Sequence, residues 1–144
     1  MKNNAWRLTF ARFGAGLVGL GLLLLSSCGT SQISGPAITH GLAHIERVEV
    51  FMLESFPVQV HVYIAGLLQD SCTTLDAVTQ ERSGNIFWIR VTTVRPTDAL
   101  CADMVTPFEE RVALDVYGLP AGTYRVDVNG VEETFTFTVD NVLP

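Results

Sequence analysis

Cysteine has the widest choice of chemistry of any residue in this sequence, and the chain contains three, at Cys28, Cys72 and Cys101. A cysteine can form a disulfide, ligate a metal ion, act as a nucleophile or carry a lipid. The sequence contains no Cys-x-x-Cys spacing and no histidine near Cys72 or Cys101, so a metal pair or a nucleophilic thiol has little support there. In an exported chain, an odd number of cysteines requires a separate role for one of them.

Three histidines raise the possibility of metal coordination. His40 and His44 are four residues apart, a spacing that places two imidazoles on one face of a helix. Gly41 between them disfavours a helix, and nothing in the sequence requires His61 or Glu46 as a third ligand. We therefore expect solvated histidines and no metal site.

Carboxylates offer a third kind of chemistry. Four of them lie within or just beyond the connection from residue 94 to residue 107: Asp98, Asp103, Glu109 and Glu110. Calcium prefers such oxygen clusters, but the EF-hand spacing is absent. An acid and base pair would need a shielded carboxyl with a raised pKa, which a sequence pattern does not indicate.

Sequence signatures of common enzyme classes are missing. The chain contains no G-x-S-x-G, P-loop or H-E-x-x-H motif, and no lysine follows Cys28. We predict a protein without catalytic activity and without a cofactor.

The first part of the chain has the pattern of an export signal. Three basic residues, Lys2, Arg7 and Arg12, precede an apolar segment. This segment has 13 residues, from Phe13 to Leu25. This segment is shorter than the roughly 20 residues of a membrane-spanning helix. The residues that end it, Leu25-Ser26-Ser27-Cys28, resemble the lipobox of bacterial lipoproteins. An ordinary cleaved secretory signal followed by an unrelated cysteine is the alternative.

The lipobox resemblance implies a cellular location and a domain organisation. Cleavage before Cys28 and attachment of a diacylglyceryl thioether to its sulfur would anchor the protein in the cell envelope. The anchor would lie at the outer face of the cytoplasmic membrane or in the outer membrane. We predict a signal peptide over residues 1–27, the lipidated cysteine and a flexible tether over 28–44, and a folded domain over 45–141.

If Cys28 carries lipid, Cys72 and Cys101 remain as a pair, 29 residues apart. Export would place them in an oxidising compartment, where a disulfide persists. In the chain-entropy account, a cross-link of this span stabilises a domain by about 3.5 kcal/mol.

Charge argues against several kinds of partner. All fifteen acidic residues follow Cys28 but only six of the nine basic ones do, which gives the exported part a net charge of −9. Such a surface repels phosphate backbones and anionic headgroups. We therefore expect no nucleic-acid partner and no membrane contact other than the lipid anchor.

After residue 45 the apolar residues alternate with polar ones at a period of two, which is typical of half-buried strands. Asn129-Gly130 between two alternating runs predicts a tight hairpin turn. The pattern predicts an antiparallel immunoglobulin-like β-sandwich of about seven strands. The strands are expected at residues 46–53, 58–64, 74–82, 87–93, 108–116, 124–128 and 135–139.

The segment Leu119-Pro120-Ala121-Gly122-Thr123-Tyr124 resembles the tyrosine corner of immunoglobulin-like and fibronectin type III sandwiches. The resemblance implies that the Tyr124 hydroxyl bonds to backbone a few residues upstream. The surrounding segment is similar to the closing hairpin of uncharacterised secreted bacterial sandwich domains. Cys72 and Cys101 flank the third and fourth predicted strands, unlike antibody cysteines, so no binding residues carry over.

The favoured function is recognition. Trp88 and Tyr63 are expected to point outward, and together with Arg90 and Arg95 they belong to residue types that dominate binding hot spots. A disulfide would also pin the long connection over residues 95–107, which lowers the entropy lost on binding. We therefore predict a non-catalytic binding or adaptor domain that displays this loop to an envelope protein or a glycan.

Three alternatives remain open. The loop could insert into the cleft of an envelope enzyme, as an inhibitor or accessory subunit would. The protein could be a structural envelope lipoprotein without a specific ligand. An outward tryptophan can also simply lie under a loop or against a sheet edge.

Overall fold

The computed structural model of the protein describes residues 35 and 37–143. This part of the chain contains eight β-strands and no helix, and therefore no helix long and apolar enough to cross a membrane. The strands are β1 (Ile38–Leu42), β2 (His44–Met52), β3 (Val60–Leu68), β4 (Thr74–Ser83), β5 (Ile86–Pro96), β6 (Thr106–Ala113), β7 (Gly122–Val128) and β8 (Val131–Phe137). The predicted signal peptide and Cys28 lie outside the described residues.

The strands form two sheets. In the first, sheet A, the long strand β5 pairs with β4 along one side. Along its other side β5 pairs with β1 over residues 92–96 and with β7 over residues 86–89, and β8 continues the sheet from β7. The second, sheet B, has the order β2-β3-β6. This all-β, two-sheet arrangement confirms the predicted sandwich.

The core lies between the sheets because alternate side chains of the strands point inward. On β3 these are Val60, Val62 and Ile64, and on β5 they are Phe87, Ile89 and Val91, all of them buried. Four aromatic rings pack beside them with neighbouring centroids between 5.4 and 6.2 Å apart, those of Phe87, Tyr124, Phe135 and Phe137. On β3 and β5 the apolar residues of the predicted alternation are therefore the buried ones.

Asn129 closes the β7–β8 hairpin and also joins three strands. Asn129 and Gly130 have φ angles of 48° and 95°, which are the positive values that a two-residue hairpin turn requires. The Asn129 side-chain oxygen accepts a hydrogen bond from the Val91 backbone nitrogen at 3.1 Å. Its amide nitrogen donates to the Ala43 carbonyl at 3.0 Å and to the Val91 carbonyl at 2.9 Å. Asn129 thus fills the point on β5 where the pairing partner changes from β7 to β1.

The structure corrects the predicted boundary between tether and domain. Residues 38–42, within the predicted tether, form β1 and pair with β5, and Ala43 is buried. Every side chain of β1 is exposed, so this strand lacks the alternation by which the others were predicted. The sandwich therefore begins at residue 38 rather than 45 and has eight strands rather than about seven.

Two further details differ from the prediction. The β5–β7 pair is parallel within an otherwise antiparallel sandwich. Val139 lies beyond the end of β8 and is exposed, although the last strand was predicted to extend to residue 139. Alternation shows which face a residue takes on a strand, but it does not show where the strand ends or which neighbour it pairs with.

Two polar side chains hold the end of the sandwich that carries the β6–β7 connection. The Tyr124 hydroxyl donates to the Pro120 carbonyl at 2.8 Å, which is the geometry of a tyrosine corner. Asn141 is fully buried. Its side-chain oxygen accepts from the Val58 nitrogen at 2.7 Å, and its amide nitrogen donates to the carbonyls of Val58 and Val116 at 2.9 and 3.0 Å. These bonds attach the segment after β8 to the body of the domain.

Candidate functional site

The four residues predicted to bind a partner lie in three separate places. Trp88 and Arg90 share the outer face of sheet A, because they are two residues apart on β5 and alternate with the buried Phe87, Ile89 and Val91. Tyr63 lies on β3, in the other sheet. Arg95, near the end of β5, contacts Asp70 close to the disulfide. The structure therefore brings together only Trp88 and Arg90.

Trp88 occupies the middle of the outer face of sheet A. Its side chain is 45% exposed, which is unusual for the largest apolar side chain in the middle of a sheet. Glu81 of β4 is its register partner on one side and Asp127 of β7 is its partner on the other. Side chains at such positions have Cβ atoms about 5 Å apart. An exposed indole is thus flanked by two carboxylates.

A shallow groove of about 360 Å³ surrounds Trp88. Leu42 forms an apolar part of its wall, and the turn residues Asn129 and Gly130 form another part. Thr79, the register partner of Arg90 on β4, also lines the groove. The groove combines one aromatic surface, one aliphatic wall and charged groups of both signs, a mixture that suits recognition of a polar ligand.

The charged groups of this groove differ in whether they already have a hydrogen-bond or ion-pair partner within the domain. Asp127 accepts a hydrogen bond from the Gly130 backbone nitrogen at 2.9 Å. Glu81 and Arg90 make no ion pair within 4.0 Å with any other described residue. Arg125 and Glu132, further across the same face, form an ion pair at 3.4 Å. Within the described residues, Glu81 and Arg90 therefore have no ion-pair partner and are available to a ligand.

Tyr63 contrasts with Trp88 because its ring and its hydroxyl have charged neighbours within the domain. The Arg47 guanidinium lies 5.6 Å from the centre of the Tyr63 ring, a cation–π distance. The pKa of the Tyr63 hydroxyl is raised above its usual value, mainly by hydrogen bonding with Glu109 and to a smaller extent by desolvation. Arg47 and Glu109, the charged neighbours of this side chain, both lie in sheet B.

Arg95 is similarly engaged. Its Nε donates to Asp70 Oδ2 at 2.6 Å, and its terminal nitrogen donates to the Pro96 carbonyl at 3.2 Å. The other Asp70 oxygen accepts from the backbone nitrogens of Cys72 and Thr73 at 3.0 and 2.8 Å, and from the Thr73 hydroxyl at 2.9 Å. The Arg95 bond is the main reason why the pKa of Asp70 falls to about 2. Arg95 thus orders the β3–β4 turn.

The predicted disulfide joins Cys72 to Cys101. It pins the β5–β6 loop, residues 97–105, to the start of β4. Ser71 and Ala102 add two hydrogen bonds between the same segments, at 3.2 and 2.9 Å. The loop nevertheless exposes three apolar side chains to solvent, those of Leu100, Met104 and Val105. The start of the domain lies at the same end, because the Thr97 nitrogen donates to the Ala37 carbonyl at 2.8 Å.

The histidines and carboxylates considered as metal ligands are dispersed. His40 on β1 lies 3.4 Å from Asp76, His44 begins β2, and His61 lies on β3. Among the described residues, the one group of three potential ligand side chains within reach of each other is Asp70, Cys72 and Cys101. Its two cysteines are joined in the disulfide, so their sulfurs are not thiolates.

The two carboxylates beside Trp88 are not apparent from the local sequence. Glu81 and Asp127 are 7 and 39 residues from Trp88, and only the pairing registers of β4 and β7 place them beside it. The hairpin turn at Ser83-Gly84-Asn85 could have suggested Glu81, since a hairpin fixes its own register. No local signal could have suggested Asp127, because the parallel β5–β7 pair joins distant segments.

Comparisons with known proteins agree with the fold. A family model described as ORF11 beta-sandwich domain matches residues 62–139, from β3 to just beyond β8. An uncharacterized 10.2 kDa protein encoded in the HgiCIIM 5' region of Herpetosiphon aurantiacus is 40% identical over 89 residues, which cover 62% of this chain and 94% of that protein. A similar protein of the HgiBIM 5' region in the same organism is 42% identical over 79 residues, covering 55% of this chain and 95% of that protein.

No solved structure matches the chain. The relatives align over nearly their whole length, and the family model covers more than half of the present chain and most of the sandwich. The chain therefore belongs to the family of ORF11 beta-sandwich domains.

Proposed function

We propose that this protein is a lipid-anchored, non-catalytic binding domain of the bacterial cell envelope, and that the Trp88 groove is its recognition surface. The observation that carries the proposal is the exposed Trp88 side chain in the middle of sheet A, with Glu81 and Asp127 on either side. The partner is a protein or a glycan, which are the two classes that an aromatic surface with charged neighbours accommodates.

Burial of Trp88 by a partner would supply much of the binding energy. A tryptophan side chain buries roughly 200 Å² of mostly apolar surface, and tryptophan is enriched among interface hot spots. Trp88 is held on the strand that pairs with three others, so its backbone loses little freedom on binding. Placement on a rigid strand favours this groove over a loop as the main contact surface.

Lipid attachment at Cys28 is the second element of the proposal. It rests on the lipobox Leu25-Ser26-Ser27-Cys28 and on the basic and apolar segments before it. Ala37 is the ninth residue after Cys28, which limits the chain length between the lipid and the domain to about 30 Å. Because Ala37 lies beside Thr97, the 97–105 loop would lie at the end of the domain nearest the bilayer.

The loop supports a second candidate function, that of an inhibitor or accessory subunit. Leu100 is fully exposed, and Met104 and Val105 expose about 60% of their surface. A pinned loop with exposed apolar side chains is able to enter a partner's cleft. The two candidates differ in the surface that a partner contacts, the Trp88 groove or the loop.

Crosslinking in intact cells tests the proposal. We would identify proteins and glycans that co-purify with the tagged native protein, with Trp88→Ala, and with the 97–105 loop replaced by a short Gly-Ser linker in a Cys72→Ser background. Loss of a partner with Trp88→Ala alone supports the groove, and loss with the loop variant alone supports the inhibitor function. A partner list unchanged in both variants would contradict recognition and favour a structural envelope role.

Anchoring is tested separately by the intact mass of protein extracted from membranes. The expected species begins at Cys28 and carries the added mass of diacylglycerol and acyl groups. Cys28→Ser should abolish the added mass and release the domain from the membrane fraction. A mature species without lipid mass would contradict the anchor but would leave the groove untested, so the two halves of the proposal can fail independently.

A further inference from the structure

We infer that the Trp88 groove binds an extended peptide segment in which a lysine or arginine is separated by one residue from an acidic residue. This inference deepens the proposed function and rests on it, because it names the chemistry of the ligand at the same groove. It follows from the charges around two successive outward residues of β5. Trp88 has a carboxylate on each neighbouring strand, and the next outward residue is the cation Arg90.

A cation has a defined position over Trp88. The face of an indole ring is electron-rich and attracts ammonium and guanidinium groups, more strongly than any other side-chain ring does. Glu81 and Asp127 stand on the two strands beside Trp88 and add two negative charges at the same row. One Asp127 oxygen is held by the Gly130 nitrogen, which fixes the carboxylate and leaves its second oxygen for a ligand. A cationic side chain at this position is therefore contacted by Trp88, Glu81 and Asp127 from three directions.

The next outward row along β5 has the opposite charge. Arg90 lies two residues from Trp88 and faces the neutral Thr79 on β4. No carboxylate within the described residues pairs with Arg90 at 4.0 Å or less. An unpaired guanidinium on a sheet face is suited to bidentate binding of a carboxylate.

The spacing of these rows matches an extended peptide. Outward residues on a strand are about 6.7 Å apart, which is also the distance between residues i and i+2 of an extended ligand. A basic side chain over Trp88 therefore places the side chain two residues away beside Arg90. Other acidic side chains on this face already have partners among the described residues. Glu132 pairs with Arg125, and Asp76 accepts a hydrogen bond from Thr92 and lies 3.4 Å from His40.

The overall charge of the domain supports a ligand with a basic residue. With a net charge of −9 after Cys28, the protein attracts cationic segments over a range set by the ionic strength. A neutral glycan would gain nothing from this field. A neutral glycan would also leave Glu81 and Asp127, on either side of Trp88, without a neutralising partner.

The test uses Trp88 fluorescence. Trp6 lies within the predicted signal peptide, so the mature protein extracted in detergent reports on Trp88 alone, and Trp6→Phe removes the signal of any uncleaved chain. The probes are acetyl-Gly-Lys-Gly-Glu-Gly-amide and its variants with glutamine in place of lysine or of glutamate, titrated to millimolar concentration. We expect binding of the first peptide, at least tenfold weaker binding without the lysine, and a smaller loss without the glutamate.

Matched variants of the protein locate the effect. Glu81→Gln with Asp127→Asn should weaken binding at least tenfold and remove the preference for lysine. Asp98→Asn with Asp103→Asn makes the same change in net charge on the loop and should leave the affinity within twofold. Arg90→Gln should abolish the preference for glutamate but keep the preference for lysine. Thermal unfolding followed by circular dichroism establishes that each variant is folded.

Several results would overturn the inference. Equal affinity for the lysine and glutamine peptides would exclude cation binding at Trp88. A fluorescence change with a neutral trisaccharide such as chitotriose, but with none of the peptides, would overturn the peptide inference while retaining the groove as a recognition surface. No response to any probe, together with an unchanged partner list for Trp88→Ala in cells, would overturn both the inference and the proposed function.

Discussion

The two ends of the sandwich are held together by different means. At one end, the disulfide end, Cys72 and Cys101 are cross-linked beside the Asp70–Arg95 ion pair, close to solvent. At the other, the amide end, the buried Asn141 side chain makes three hydrogen bonds to backbone. The Asn141 backbone nitrogen donates to the Leu119 carbonyl, and the neighbouring Pro120 carbonyl accepts from the Tyr124 hydroxyl. A covalent link fixes the first end and buried hydrogen bonds fix the second.

This difference shows how each end stabilises the fold. A disulfide acts mainly on the unfolded chain, by removing conformations that it could otherwise adopt. A buried amide acts on the native state, because each of its partners would be left unsatisfied without it. The stability of the disulfide end is therefore expected to depend on redox conditions and pH, and that of the amide end on its buried hydrogen bonds, which do not titrate. The end proposed to lie near the membrane is the one with the covalent link.

Loss of the disulfide should have the largest effect on stability. Cys72→Ser with Cys101→Ser is expected to lower the free energy of unfolding by about 3.5 kcal/mol, because the unfolded chain regains the conformations of a long loop. Denaturation by urea, with and without a reductant, measures this value. Reduction should destabilise the native protein and leave the double variant unchanged. A loss below about 1 kcal/mol would show that the Asp70 hydrogen bonds hold this end without the cross-link.

Asn141→Ala tests the amide end and should cost about 2 to 3 kcal/mol. The substitution leaves the Val58 nitrogen and the carbonyls of Val58 and Val116 without their partner in a buried site. Asn85→Ala is the matched control, because Asn85 is exposed and its side chain makes one bond, to the Thr123 carbonyl at 3.2 Å. We expect a change within about 0.5 kcal/mol for the control. Equal effects would mean that burial of the Asn141 amide contributes nothing.

The two largest effects should also add. Sites that share no partners and lie far apart contribute independently, within about 0.5 kcal/mol. The disulfide and Asn141 share no hydrogen-bond partner. A triple variant that lost much less than the summed effect would show that the two ends are coupled through the sandwich.

Tyr124→Phe removes one bond at the amide end and is expected to cost about 1 kcal/mol. The hydroxyl is lost but the ring, which stacks on Phe135 with a centroid distance of 5.4 Å, stays in place. Tyr117→Phe is the control, since Tyr117 is exposed and no hydrogen bond of its hydroxyl occurs within the described residues. Thermal unfolding measures both variants. No difference between them would contradict a stabilising role for the bond to Pro120.

Local patterns predicted most of the fold, and the exceptions have physical causes. Alternation identified the buried positions of β3 and β5 because their inward side chains are apolar and their outward ones are polar. It missed β1, whose sequence ITHGL exposes every side chain and is held by backbone pairing with β5. It also could not predict the parallel β5–β7 pair, because pairing between distant strands depends on the whole topology rather than on either segment.

The candidate site shows the same limit at the level of side chains. The sequence predicted Trp88 and Arg90 from residue type and strand parity, but it also predicted Tyr63 and Arg95, which the domain uses internally. Arg47 and Asp70, which engage them, are 16 and 25 residues away. Residue type indicates what a side chain is able to bind, but only the folded chain shows which side chains already have a partner.

The pH dependence of the disulfide end gives the smallest effect and the sharpest contrast between the two ends. Because the Arg95 hydrogen bond lowers the pKa of Asp70 to about 2, from an ordinary value near 3.8, the ionised carboxylate is favoured in the native state. Its stabilising contribution is fully present above about pH 4 and is lost as the pH falls from 4 toward 2. We therefore expect the native protein to be more stable than Asp70→Asn above pH 4, with the difference shrinking between pH 4 and pH 2.

Urea denaturation of both proteins at several pH values between 2 and 6 measures this difference. Asn141→Ala is the control, and it should shift stability by the same amount at every pH, since the amide does not titrate. A constant difference for Asp70→Asn from pH 2 to pH 4 would contradict the ion pair, and the β3–β4 turn would then depend on the disulfide and on the neutral hydrogen bonds of Asp70.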